Sequence, residues 1–264
     1  MKPVIHFLGD HCKNCIKCVK SCPTEAISIM HGQVMIDDSS CINCHVCVQS
    51  CDYKQLKIKE VNLTKAFEKH EYNIALIPTS LLSDFKSFDE LKAFIHAIKA
   101  FHFDEVVQYS DIEGYLYQQA IETSFQSDRL MLTSFCPSIN RLIKQEYPTL
   151  IDHLLPYDYP VEIAARRLRK KYQGKDIGIF SLCECVGKLT LAKEPLGKDN
   201  SQIDYALSIS RMFPHFNKRK SQQKDDIDIY RDGVKSIVSD LFGKDHLQVM
   251  SVEGLPQIRM VLDL

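Results

Sequence analysis

The sequence predicts an α/β chain in two parts, a small cysteine-rich N-terminal module followed by a larger domain on a mainly parallel sheet. Three observations point there. Eight of the eleven cysteines lie within the first 51 residues, in two runs of identical spacing. From Tyr72 onward, short apolar runs alternate with amphipathic segments, the pattern of parallel strands joined by crossover helices. The chain has 264 residues, 45% of them hydrophobic, enough for a core in each part.

The cysteine runs read Cys12-x2-Cys15-x2-Cys18-x3-Cys22-Pro23 and Cys41-x2-Cys44-x2-Cys47-x3-Cys51. The interval from Cys12 to Cys41 recurs from Cys22 to Cys51, so the module is an internal duplication of 29 residues. Such paired runs hold two [4Fe–4S] clusters, the fourth cysteine of each run ligating the cluster built by the other. Cluster one would then take Cys12, Cys15, Cys18 and Cys51, and cluster two Cys22, Cys41, Cys44 and Cys47. Thiolates at two-residue intervals wrap a cubane while the loop's N–H groups point at its sulfurs. A disulfide scaffold is disfavoured because no secretory signal precedes the runs. Structural zinc needs only four ligands and suits interleaved three-plus-one sets poorly. Redox dithiols do not come in runs of four, and inert thiols would not repeat at a fixed offset. Residues 1–60 are therefore expected to form a bacterial-ferredoxin-like 2[4Fe–4S] domain. Pro23 ends the first run as a helix stop, and Asp52 stands at the equivalent place in the second. His11 and His45 read as solvated loop residues.

Within that module, strands are expected at Ala26–Met30, Val34–Ile36 and Leu56–Ile58. Residues 61–71 read as a linker with a turn or two of helix. The domain 72–264 opens with a strand at Asn73–Pro78, then an amphipathic helix over Asp89–Phe101 with acidic residues in its first turn. A strand at Glu105–Gln108, a helix at Gly114–Phe125 and a third strand at Leu130–Thr133 follow, then a helix at Ile139–Tyr147. Pro160–Tyr172 is a helix started by Pro and stopped by Gly174. Asp176–Leu182 and Ile203–Leu207 are further strands. Tyr230–Phe242 is a helix, and His246–Ser251 and Ile258–Leu262 close the sheet.

In such sheets ligands collect at the carboxyl ends of strands. The three remaining cysteines fall after two of them: Cys136 in Thr133-Ser134-Phe135-Cys136-Pro137-Ser138-Ile139, and Cys183 and Cys185 in Cys183-Glu184-Cys185-Val186-Gly187-Lys188. These stretches resemble the [FeFe]-hydrogenase catalytic domain. The family's first active-site motif, T-S-C-C-P-x-W, is similar to residues 133–139 with two changes. Its second, M-P-C-x-x-K-K-x-E, has the spacing of Cys185 and Lys188. Phe103–Val107, Glu146–Leu150, Asp204–Leu207 and Val252–Ile258 are also similar in order to that family, so the resemblance covers nearly the whole chain.

The resemblance implies a damaged site. The family cysteine that delivers protons to the diiron centre is Phe135 here, which neither donates nor accepts a proton. Cys136 keeps the position of a cubane ligand, and Lys188 that of the lysine that fixes a cyanide of the diiron unit. The acid three positions on is Leu191, and the aromatic ending the first motif is Ile139. No cysteine follows Cys185, so the two cysteines of the family's third motif are missing. The expectation is a degenerate hydrogenase domain with no catalytic residues assigned, not an active hydrogenase. Cys136, Cys183 and Cys185 are candidates for a third Fe–S cluster with an unassigned fourth ligand. The alternative is that all three are ordinary buried thiols.

The expected function is a non-catalytic iron–sulfur protein that carries electrons to or from a redox partner protein or a hydrogenase-type complex. The alternatives are a redox or gas sensor at the degenerate site, an Fe–S assembly factor, or a reductase at an open cubane. Free thiol clusters without a signal segment imply a reducing, anaerobic cytoplasm. No apolar run reaches the roughly 18 residues of a membrane span, so no membrane insertion is expected. With a formal charge of −1, the basic stretches Arg166–Lys171 and Lys218–Lys220 read as solvated surface and nucleic acid is not an expected partner. Gly174 and Gly178 make no phosphate loop.

Overall fold

The computed structural model describes residues 4–59, 61–84, 88–133, 135–193, 200–210 and 213. Its N-terminal module is one unit built twice. Strand β1 (Ile5–Phe7) pairs antiparallel with β4 (Leu56–Ile58), and β2 (Ile27–Met30) with β3 (Gln33–Ile36). The sequence offset maps the pair Ile5↔Ile58 onto Val34↔Ile29, and both pairs occur. Helices α1 (Lys17–Ser21) and α2 (Val46–Gln49) begin at equivalent residues. The left-handed residues repeat too: Asn14 with Asn43, Ile16 with His45, Glu25 with Lys54. A β-branched residue such as Ile16 at φ 55° is uncommon and marks a backbone held by its loop. Val4, Ile5, Cys18, Ile27, Val34, Cys47 and Leu56 form the core between the two copies.

Helix α3 (Leu63–Phe67), capped by Asn62 accepting from the Lys65 N–H at 3.1 Å, leads into a four-stranded parallel sheet. Its order is β6 (Glu105–Gln108), β5 (Tyr72–Ile77), β7 (Ile177–Cys183), β8 (Tyr205–Ser208). Parallel strands buried on both faces read as continuous apolar runs, as β5 and β7 do. Ala75, Ile77, Phe180 and Leu182 face α3 and α4 (Phe88–Lys99) through Phe94, Ile95 and Ile98. Ile74, Leu76, Ile177 and Ile179 face α5 (Ser110–Phe125) and α7 (Pro160–Lys171) through Ile112, Leu116, Ala165 and Leu168. Two aspartates splice the sheet where strands enter it. Asp104 accepts from the Asn73 N–H, and Asp204 from the Ile179 N–H and from Arg169, at 2.6–2.7 Å.

The α/β expectation and the parallel sheet are found, with two adjustments. Helix α5 starts at Ser110 rather than Gly114, since Asp111 and Glu113 suit its first turn. The strand expected at Leu130–Thr133 is a single bridge between Leu132 and Leu154. Leu130 is exposed, and a segment covered on neither face has no place in a central parallel strand. Cys136 therefore follows a bridge, not a strand end, and sits directly before Pro137 at the start of α6 (Pro137–Glu146). The elements expected over Tyr230–Phe242, His246–Ser251 and Ile258–Leu262, the resemblance at Val252–Ile258 and the basic stretch Lys218–Lys220 lie outside the described residues. Among the described residues no helix is long and apolar enough to cross a membrane.

Candidate functional site

The eleven cysteines carry free thiols. Cys12, Cys15, Cys18 and Cys51 line one pocket, walled by Phe7, Ile29, Val34 and Leu56. The nearest charged neighbours of Cys18 include Cys51 and Cys15. Cys22 is the first coulombic neighbour named for Cys41 and for Cys44, and it also acts on Cys47. Folding thus brings each run's fourth cysteine to the other run's first three. The two loops reach this through matched turns: the Cys12 thiol lies 3.6 Å from Asn14 Oδ1 and that of Cys41 3.9 Å from Asn43 Oδ1. Asn43, almost wholly buried, also accepts from the Val4 N–H at 3.0 Å. Main-chain N–H groups point at sulfur, as from Gln55 to Cys51 at 3.3 Å.

Burial pushes these thiols upward, Cys44 to about 11 and Cys47 to about 12, with the neighbouring cysteines adding repulsion. Such groups become thiolates only beside a compensating cation. Among the described residues no three His, Cys, Asp or Glu donors converge on a single metal ion. A cubane spreads its thiolates over separate irons and supplies the positive charge, so the donor set fits [4Fe–4S] groups. The two places differ in setting. Cys15 is exposed, with Ile16 and Tyr53 exposed beside it. Asp52, opposite Pro23 in the repeat, pairs with Lys17 at that outer rim. Cys44, by contrast, packs under α6 with Ile42, Ile139 and Leu142. Buried Arg141, on α6, acts on Cys41 against the effect of burial. Nothing in the sequence singled out Arg141, because a cation on a polar-looking helix face reads as surface.

Of the second set, the structure joins Cys136 and Cys185, whose thiols hydrogen-bond to each other. That bond and the N–H groups of Gly187 and Lys188 hold Cys185 down to about 6, while the same bond and burial push Cys136 up. Cys183 packs elsewhere, with Leu189 and Ala206, its thiol 3.4 Å from Ser181 Oγ. Cys136 shares an apolar cluster with Cys44, and Val186, next to Cys185, packs against the N-terminal core beside Cys22 and Cys47.

A cavity of about 200 Å³ opens at the carboxyl ends of β5 and β7. Phe135 lines it, set edge-on to Tyr117 with ring centres 5.4 Å apart. Lys188 lines it as well, held in an ion pair by Glu184. Tyr109, Glu113 and Tyr159 complete its polar rim. Cys136, Cys183 and Cys185 are not among its lining residues.

A family model described as iron only hydrogenase large subunit, C-terminal domain, matches residues 83–228, more than half of the chain. The chain belongs to that family. A 4Fe–4S dicluster domain model matches residues 5–52. One of 29 matching chains of known structure is an [FeFe]-hydrogenase, described for oxygen inactivation that begins at the 2Fe subcluster of its H cluster. It is 16% identical, with a TM-score of 0.47, over 65% of this chain and 50% of that one. This chain therefore aligns with only half the length of that hydrogenase. No curated protein matches. A dicluster module joined to an iron-only hydrogenase domain supports an iron–sulfur, electron-carrying role.

Proposed function

We propose that this member of the iron-only hydrogenase family is a non-catalytic electron carrier, passing single electrons through two [4Fe–4S] clusters to or from a partner oxidoreductase. The observation that carries the reading is the crossed grouping of the thiols. Cys12, Cys15 and Cys18 meet Cys51, and Cys41, Cys44 and Cys47 meet Cys22. When bound, the clusters supply reversible one-electron chemistry. The protein holds them in place, excludes water and sets their potentials through N–H···S bonds and nearby charge. The outer place, with Cys15, Ile16 and Tyr53 exposed, suits a docking partner, and the inner place faces the hydrogenase-type domain.

The non-catalytic part of the reading rests on the cavity. Phe135 offers no proton at the position the family gives to a cysteine, and Lys188 is engaged by Glu184. Anaerobic reconstitution followed by iron and sulfide analysis should give about eight irons per chain, four for each cubane. Electron paramagnetic resonance of the reduced protein should show two interacting centres. Four irons or fewer would sink the two-cluster reading. Hydrogen uptake after maturation with the diiron cofactor would sink the non-catalytic one.

A further inference from the structure

Cys136 and Cys185 are arranged unlike the eight cysteines of the N-terminal module. No hydrogen bond joins any of those eight thiols to another among the described residues, whereas Cys136 and Cys185 bond directly. Thiolates on separate irons of one cubane are held apart by it. Thiols in hydrogen-bond contact are instead close to the 2.05 Å approach of a disulfide. Cys183, which would be needed as a third ligand, is engaged with Ser181 in a different apolar cluster.

Rigid elements hold the pair. Cys136 precedes Pro137 at the start of α6, and Cys185 precedes a 3-10 turn at Val186–Thr190. The two segments are clamped where Gly187 meets Ser138, and where Arg141 donates to Thr190 Oγ1 at 3.2 Å. The pair also adjoins the inner cysteine group: Cys136 shares a cluster with Cys44, and Val186 packs beside Cys22 and Cys47.

We propose that Cys136 and Cys185 form a two-electron dithiol–disulfide centre that exchanges electrons with the inner iron–sulfur place. The proposal rests on the two-cluster reading for its electron acceptors. On oxidation the two S–H bonds break and one S–S bond forms. Two protons leave by way of the half-exposed Cys185 side, and two electrons pass singly to two oxidised [4Fe–4S] clusters. Reduction runs the same steps backward, with two one-electron donors serving one two-electron couple. The chain would thereby convert between single and paired electrons.

The test uses the full chain, reconstituted anaerobically and split into samples poised with oxidised and reduced glutathione or reduced with dithionite. Each sample is quenched in acid, alkylated under denaturing conditions and cut with trypsin, with iron measured on the same material. The expected result is a cross-link between peptides 130–141 and 176–188 in the oxidised sample, lighter by two hydrogens and lost on reduction. Reductive titration should take up two more electrons per chain in the wild type than in Cys136→Ser, at equal iron content. Iron near twelve per chain, falling in Cys136→Ser and with no cross-link, would overturn the proposal in favour of a third cluster. A bridge within peptide 176–188 alone, between Cys183 and Cys185, would overturn it too. If iron is absent yet the cross-link still titrates with glutathione, the dithiol stands, and it is the two-cluster reading that fails.

Discussion

Arg141 shows what a single side chain contributes at this site. It is buried, bonded to Thr190, and close enough to Cys41 to act on its thiol. A cation in a poorly screened place favours the more negative of two redox states, and reduction of a cluster adds one negative charge. Arg141→Gln removes the charge and keeps donors in place. The expected outcome is an inner cluster harder to reduce by about 60 mV, a tenfold change for a one-electron couple. A potentiometric titration followed by paramagnetic resonance reads it, and an unchanged or raised potential would count against this role. The cysteines themselves were legible as residues because their spacing is a pattern. Arg141 was not, because its importance comes from what α6 is packed against.

At the scale of elements, the contact between α6 and the turn after β7 decides whether Cys136 and Cys185 meet. A Cβ on Gly187 would lie 2.3 Å from Ser138 Oγ, far inside any real contact. Gly187→Ala should therefore lower stability by roughly 1–3 kcal/mol, the usual cost of overpacking. Ser138→Ala clears that oxygen, and the next contact, with Ser138 Cβ, is an ordinary 3.4 Å. The double variant should recover most of the loss in thermal unfolding. If both variants carrying Ala at 187 are equally destabilised, the clamp lies elsewhere. Most elements were readable from apolar period, with ends shifted by a few residues: β6 and β4 fell where expected, and β5 moved by one. The misread strand at Leu130–Thr133 had the right composition. What composition could not convey was that no second layer covers Leu130. Strand β1 was missed because three residues carry too little period to see, though the repeat that maps Ile5 onto Val34 was available as a signal.

Across the whole molecule, the repeat that makes the two cysteine places alike in sequence is broken by what surrounds them. The first place opens outward at Cys15, Ile16 and Tyr53. The second is closed by α6 through Ile139 and Leu142 and by Val186. Nothing in the spacing of the runs distinguishes them, since the asymmetry comes from docking on the larger domain. Equivalent chemistry in unequal surroundings should come apart at unequal rates, because a chelator must reach iron through whatever covers it. An anaerobic challenge of the reconstituted protein with a strong iron chelator should release iron in two phases of equal amplitude. Alkylation trapped after the fast phase should label Cys15 and Cys12 and spare Cys44 and Cys47. Truncating the cover with Leu142→Ala, which also costs about 2–5 kcal/mol of core packing, should speed the slow phase and leave the fast one unchanged. A single phase, or labelling of Cys44 first, would show that the larger domain does not shield the inner place. The direction of electron flow from surface to interior would then lose its structural basis.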